Sequence, residues 1–227
     1  MMFDHFFDDA ALFPPGNASM TDAVKAHLHR AATPDGAFVG PFVCPAGRLD
    51  ELADALAGDR IDVAVVGAPT LPMPAGVVLA AVELKGPLEA LPEVPDGVRV
   101  FVERDWSGDL EIPVGAALKL RCGGAYVPTS DELGAAIAHC VHDGLTFKLT
   151  AGLHHAVRTA DEHGFLNVLA AVDAALLGDD PVQMLDERDP ARLAVKIPVA
   201  VRRVFASIGT CSIDEPLTDL RRLGLLA

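Results

Sequence analysis

The feature that most constrains this chain is a recurring unit: a short apolar run, often β-branched, followed by a segment whose apolar residues fall three and four apart. Ala37 to Cys44 reads as a strand, and Arg48 to Ala57 carries Leu49, Leu52, Ala53 and Leu56 at helical spacing. Ile61 to Val66, Val77 to Val82, Val98 to Glu103, Ala116 to Arg121 and Thr146 to Thr150 supply five further strands. Ser19 with Asp22 opens a helix over residues 19 to 29, and Leu88 to Val94 has room for a short one between prolines. Thr129 with Glu132 caps a helix to His142, and His163 to Leu177 is amphipathic. Ser212 with Glu215 opens the last helix.

Parallel strands need crossovers of about a dozen residues, so alternation at this spacing specifies an α/β chain with helices outside a parallel sheet. The first strand lacks a G-x-G-x-x-G turn, and polar residues collect at many strand ends. Both points favour a closed (β/α) barrel of seven or eight mostly parallel strands over the alternative, an open parallel sheet. Arg192 to Ile197 reads as a seventh strand. Val201, Val204, Phe205 and Ile208 keep helical spacing after Pro198, so an eighth strand is weak or missing and closure is expected to be distorted.

Composition then limits the function. The 227 residues carry 18 basic and 32 acidic side chains, a net charge of −14, with 51% hydrophobic and 22% charged residues. Such a chain buries a substantial core, and residues 1–227 read as one domain without a linker. The negative balance disfavours nucleic acid and anionic membrane as partners; an anionic small molecule requires a locally basic pocket. Residues 1 to 9 hold three Asp and no basic residue, unlike a signal peptide, while prolines interrupt the uncharged stretch from Val63 to Val82. Four cysteines without a C-x-x-C pair indicate neither a disulfide framework nor a zinc knuckle. The expectation is a cytoplasmic protein without cofactor or metal, its partner a small anionic metabolite, with self-association left open.

Five lysines stand against thirteen arginines, yet two lysines lie inside apolar strands. Strand alternation puts Lys119 and Arg121 on one face of Leu118-Lys119-Leu120-Arg121, and Lys148 and Thr150 on one face of Phe147-Lys148-Leu149-Thr150. In a barrel the leucines and Phe147 meet the helices and the charges point inward at the active-site end. A solvated sheet edge with the ammoniums in water is the alternative. Glu103, at the end of its strand, and Glu83 are candidate partners. Desolvation and a neighbouring cation lower a lysine pKa, so Lys119 is expected to depress that of Lys148 and leave an amine able to form an imine or abstract a proton.

Arg121, with Gly123, Gly124 and Thr150, reads as an anion site, and Ser212 offers a second amide cluster at a helix start. Turn and capping roles account for these residues equally well. His154 is placed as a proton shuttle, with His155 and Arg158 as substrate contacts; surface and capping roles compete, above all for His155. His163 and Asn167 stand at a helix start, Cys44, Cys122 and Cys211 read as small buried hydrophobes, with a thiol or metal site assembled in three dimensions as the alternative, and Trp106 covers a loop.

The segments FPPGNA, KLRCGG, FKLTAGLHH, HGFLN and SIGTCSIDEP together resemble an uncharacterised bacterial α/β-barrel-like family, across most of the chain. A fainter similarity is to deoxyribose-phosphate aldolase: Lys148-Leu149-Thr150-Ala151-Gly152-Leu153 looks like its Schiff-base motif and Lys119 with Gly123-Gly124 like its partner, in reversed order. That resemblance implies Lys148 as the imine-forming residue. The leading expectation is a metal-independent lyase or isomerase acting on a small phosphorylated or carboxylated carbonyl compound, with Lys148, Lys119, Glu103 and His154 catalytic. The alternatives are a noncatalytic protein that binds an anionic metabolite and a metallohydrolase using His154.

Overall fold

The computed structural model describes residues 1–106, 108–193 and 197–226. Eight parallel strands close into a barrel in sequence order: β1 Phe7–Asp9, β2 Val39–Pro45, β3 Ile61–Val66, β4 Val77–Lys85, β5 Arg99–Glu103, β6 Ala117–Arg121, β7 Phe147–Thr150 and β8 Phe205–Thr210. The helices outside are α1 Met20–Ala31, α2 Leu49–Leu56, α3 Ser130–His142, α4 Phe165–Leu177, two short ones, α5 Pro181–Asp186 and α6 Pro190–Leu193, and α7 Asp214–Arg222. None is long and apolar enough to cross a membrane among the described residues.

Local chemistry explains the helix starts. Ser19 Oγ accepts from the Asp22 amide, and Thr129 forms a complete capping box with Glu132. Four expectations are corrected. Residues 88 to 94 form no helix, because Pro87, Pro92 and Pro95 remove amide donors. Arg192 to Ile197 gives no strand in its described part: α6 covers Pro190–Leu193, and residues 194–196 lie outside the described residues. Phe205 to Ile208 belongs to β8, which closes the barrel, rather than to a helix; only Val199–Arg203 coils, as a 3-10 turn. Ser212 does not cap α7 either: its amide turns back to Thr210 Oγ1.

The outward faces of β6, β7 and β8 bury Leu118, Leu120, Phe147, Leu149, Phe205 and Ile208 in one apolar cluster with α3 and α4. Inside, Val43, Ala64, Ala81, Phe101, Ala117 and Ala206 form a separate small cluster. Alanines on the other strands leave room for the Phe101 ring to fill the axis. Two residues further along β4, β5 and β6 stand Glu83, Glu103 and Lys119, so strand alternation places an ionic layer directly above the apolar one, at the C-terminal mouth.

Candidate functional site

Register builds the site. Glu103 pairs with Lys119, Lys119 with Lys148 and Lys148 with Ser207, so four polar side chains stand abreast on β5 to β8. Two lysines side by side repel unless anions separate them. Glu83 reaches between them from β4: its Oε1 accepts from Lys148 Nζ at 2.5 Å, and its Oε2 pairs with Lys119 Nζ at 2.7 Å. Lys119 also meets Glu103 at 2.9 Å. Lys148 donates in addition to Asp8 of β1, whose carboxylate accepts from Ser207 Oγ at 2.8 Å. The result is one continuous chain of partners, Ser207, Asp8, Lys148, Glu83, Lys119 and Glu103.

This layer is dry. Lys148 is 0% exposed, Asp8 2%, Glu83 3% and Lys119 5%, which excludes the solvated-edge placement of the lysines. Lys148 Nζ also lies 5.1 Å from the centre of the Phe101 ring, on the apolar layer below. Charge pairing then decides the ionisation states. Burial alone would lower the pKa of Lys148, but Asp8 and Glu83 outweigh it and raise the pKa above its ordinary 10.5. The expected depression by Lys119 is thus reversed, because the anions lie closer than the second cation. Burial would raise Glu83, yet the charges of Lys148 and Lys119 bring it down to about 2. Asp8 is raised, since burial and the nearby Glu83 outweigh its bond to Lys148.

Above the layer opens a cavity of about 810 Å³ at the C-terminal ends of the strands. Of the residues singled out from the sequence, Glu103, Lys119, Lys148, Arg121, Gly124, Thr150 and His154 line it. Arg121 enters no ion pair among the described residues. His154 Nδ1 lies 2.8 Å from Glu215 of α7, so its ring is tied to the rim rather than to the lysines. Two more atoms lack protein partners: Thr150 Oγ1 and Glu162 Oε2, each buried and each belonging to a residue of the cavity wall.

Four other candidates fall outside the cavity wall. Gly123 packs against Ala151 and Gly152, where β6 and β7 end in touching turns, and faces a second cavity beside the first. His155 pairs with Asp219 at 3.3 Å, and Ser212 is absorbed in the turn after β8. Arg158 is engaged elsewhere: it reaches Ser130 Oγ at 3.1 Å and donates to His163 Nδ1 at 2.8 Å, while His163 Nε2 donates to Pro128 O at 2.8 Å. Burial lowers the pKa of that histidine, consistent with the neutral ring these bonds require. Asn167 bonds the Arg158 amide and the Met184 and Glu187 carbonyls.

The sequence reading missed Asp8, Ser207 and the wall residues Lys85 and Glu162, and it took Cys211 for a buried hydrophobe, whereas Cys211 is half-buried and lines the wall. Asp8 left one signal, the acid pair after Phe6-Phe7: on a strand, neighbours point oppositely, and Asp9 indeed turns outward to His27 at 3.0 Å. Glycine at Gly40 on β2 admits the carboxylate, since a Cβ there would overlap Asp8 Oδ1. Cys44 and Cys122 sit in separate apolar clusters, and burial raises the Cys44 thiol to about 11. Among the described residues no three His, Cys, Asp or Glu side chains gather as a metal-binding group.

Fold and site together define an α/β barrel whose C-terminal mouth is floored by buried ion pairs. Compared with known proteins, the chain matches no family model, and a search of curated proteins finds no match.

Proposed function

We propose that the cavity is the active site of a lyase or isomerase acting on a small carbonyl compound that carries a carboxylate or phosphate. The observation that carries this reading is the ionic layer: two amines and two carboxylates held dry, with the half-buried Glu103 at their edge, all in ion-pair contact at the mouth where barrel enzymes do chemistry. A stability role alone leaves it unexplained, because buried ion pairs rarely outperform apolar packing.

The roles follow from position. Lys148, enclosed and held charged, fixes Glu83 as an anion; with a pKa of about 2, Glu83 is too weak a base to move protons near neutrality. Lys119 and Glu103 lie nearer the opening. Lys119 passes a proton to Glu103, its free amine attacks the carbonyl carbon, and the carbinolamine loses water as Glu103 returns the proton to the leaving oxygen. The resulting iminium draws electrons from the adjacent bond and becomes an enamine, while Glu103, a carboxylate again, takes the proton: from the hydroxyl of the departing carbonyl fragment in a lyase, or from the carbon next to the iminium in an isomerase. Arg121 holds the anionic group, and Thr150 Oγ1 and Glu162 Oε2 meet substrate hydroxyls. Full pairing of both amines also suits a second reading, capture of an anionic metabolite without turnover.

Borohydride trapping separates the two. Treatment of the protein with 2-oxo acids and sugar phosphates is expected to leave a reduced adduct on the peptide containing Lys119, absent from Lys119→Met. Glu103→Gln should lower turnover by about 100-fold or more. Ligand binding with no adduct and no turnover across that panel would sink the enzymatic reading in favour of capture.

A further inference from the structure

A second cavity, of about 640 Å³, opens beside the first, and the two share Lys85, Glu103 and Arg121 as common wall. Its own walls include Trp106, Tyr126 and Arg104. The polar tips of both aromatic rings are already engaged: Trp106 Nε1 donates to Arg121 O at 2.5 Å, and Tyr126 Oη donates to Glu132 Oε1 at 2.5 Å. What the rings offer a ligand is therefore apolar surface, held in place by those bonds. The cations at the shared wall are differently placed from the lysines below. Lys85 and Arg121 enter no ion pair among the described residues, in a chain where acidic side chains outnumber basic ones by 32 to 18. Arg104 spends its Nε on the Asp109 carbonyl at 2.8 Å.

Cations between an ionic chamber and an aromatic one suit an anion that joins two unlike parts of one molecule. We propose that the second cavity receives a planar aromatic group of the same substrate, whose carboxylate or phosphate lies against Lys85 and Arg121 while its carbonyl end reaches Lys119. The substrate class narrows to aromatic-bearing anionic carbonyl compounds. This inference rests on the proposed function for the carbonyl end only; the aromatic chamber has its own readout.

Trp106 is the only tryptophan, so its emission reports on that chamber directly. The full chain is titrated with phenyl phosphate and benzoate, and with inorganic phosphate and acetate as ring-free counterparts, affinities being checked by calorimetry. At least one aromatic anion is expected to quench the emission saturably and to bind about tenfold more tightly than its counterpart. Tyr126→Ala should erase that advantage, and Arg121→Met should weaken every anion. Urea midpoints of both variants, expected near that of the parent because Tyr126 and Arg121 are exposed, establish that folding is intact. Equal affinities with and without the ring, unchanged emission at saturation, or a Tyr126→Ala variant that keeps the preference would each overturn the inference. Trapping of aliphatic carbonyl anions on Lys119 without an aromatic preference removes this inference and leaves the proposed function standing. An aromatic preference without trapping does the reverse.

Discussion

At the scale of single residues, Lys148 is where sequence and structure differ most usefully. Strand alternation in Phe147-Lys148-Leu149-Thr150 sufficed to aim it into the barrel, and the same rule aimed Lys119, Arg121 and Glu103. The ionisation was not legible, because it depends on Asp8 and Glu83, which only closure brings against the amine. A free amine and a clamped ammonium predict opposite outcomes for Lys148→Met. With its head in water the lysine would tolerate the change; as found, the variant leaves Asp8 and Glu83 facing each other, buried, one cation short. The expected cost is about 3–5 kcal/mol, read as a fall in the urea midpoint. Pairing the change with Asp8→Asn should recover part of that loss, since the second substitution removes a charge the first has stranded. A Lys148→Met variant as stable as the parent would show that the ammonium is not holding the layer together.

At the scale of elements, β2 to β7 were readable because each is a distinct apolar run ending in polar, glycine or proline residues. The two strands that close the barrel were not. β1 has three residues, Phe7 to Asp9, too few to show a period of two, and β8 is preceded by Val201 and Val204, whose spacing to Phe205 and Ile208 imitates a helix face. The site was legible to the same extent: its β5, β6 and β7 members were found, and its β1 and β8 members, Asp8 and Ser207, were not. The turns after β6 and β7 carry an element-scale prediction. A Cβ on Gly123 would stand 2.8 Å from Gly152 N and 3.0 Å from the Ala151 carbonyl carbon, while Gly152 itself adopts φ +74°. Backbone cannot swing aside as a side-chain tip can. Gly123→Ala is therefore expected to push the two turns apart and destabilise the protein by about 1–3 kcal/mol. Gly144→Ala provides the contrast: φ +65° with nothing within 4 Å leaves backbone strain but no collision, and a cost of about 1 kcal/mol. Equal urea midpoints for the two variants would mean that the turns after β6 and β7 are not in rigid contact.

At the scale of the whole molecule, barrel closure and assembly of the ionic layer are one event. β1 pairs with β8, Asp8 of β1 accepts from Ser207 of β8 and from Lys148 of β7, and Glu83 of β4 links that side to β6. The pH dependence of this layer is thus part of the pH dependence of the fold. Glu83 is depressed from 4.5 to about 2, so its contribution is complete above the unfolded value and is lost as pH falls toward 2. Lys148 is raised above 10.5, so its contribution holds below that value and is lost as pH climbs through the raised one. Asp8, raised above 3.8, opposes Glu83: the folded chain holds its proton more tightly, and some stability is given up as pH rises through the Asp8 titration. Urea midpoints measured from pH 2 to 7 on the parent and on Glu83→Gln separate these effects. The parent is expected to lose stability as pH falls from about 4.5, where unfolded Glu83 begins to take up protons, toward 2. The variant should start from a lower midpoint at pH 7, because Lys148 and Lys119 each lose a counter-charge, and should lose less across that acid window. Parallel curves for the two proteins would show that the acid response of the barrel comes from carboxylates outside the ionic layer.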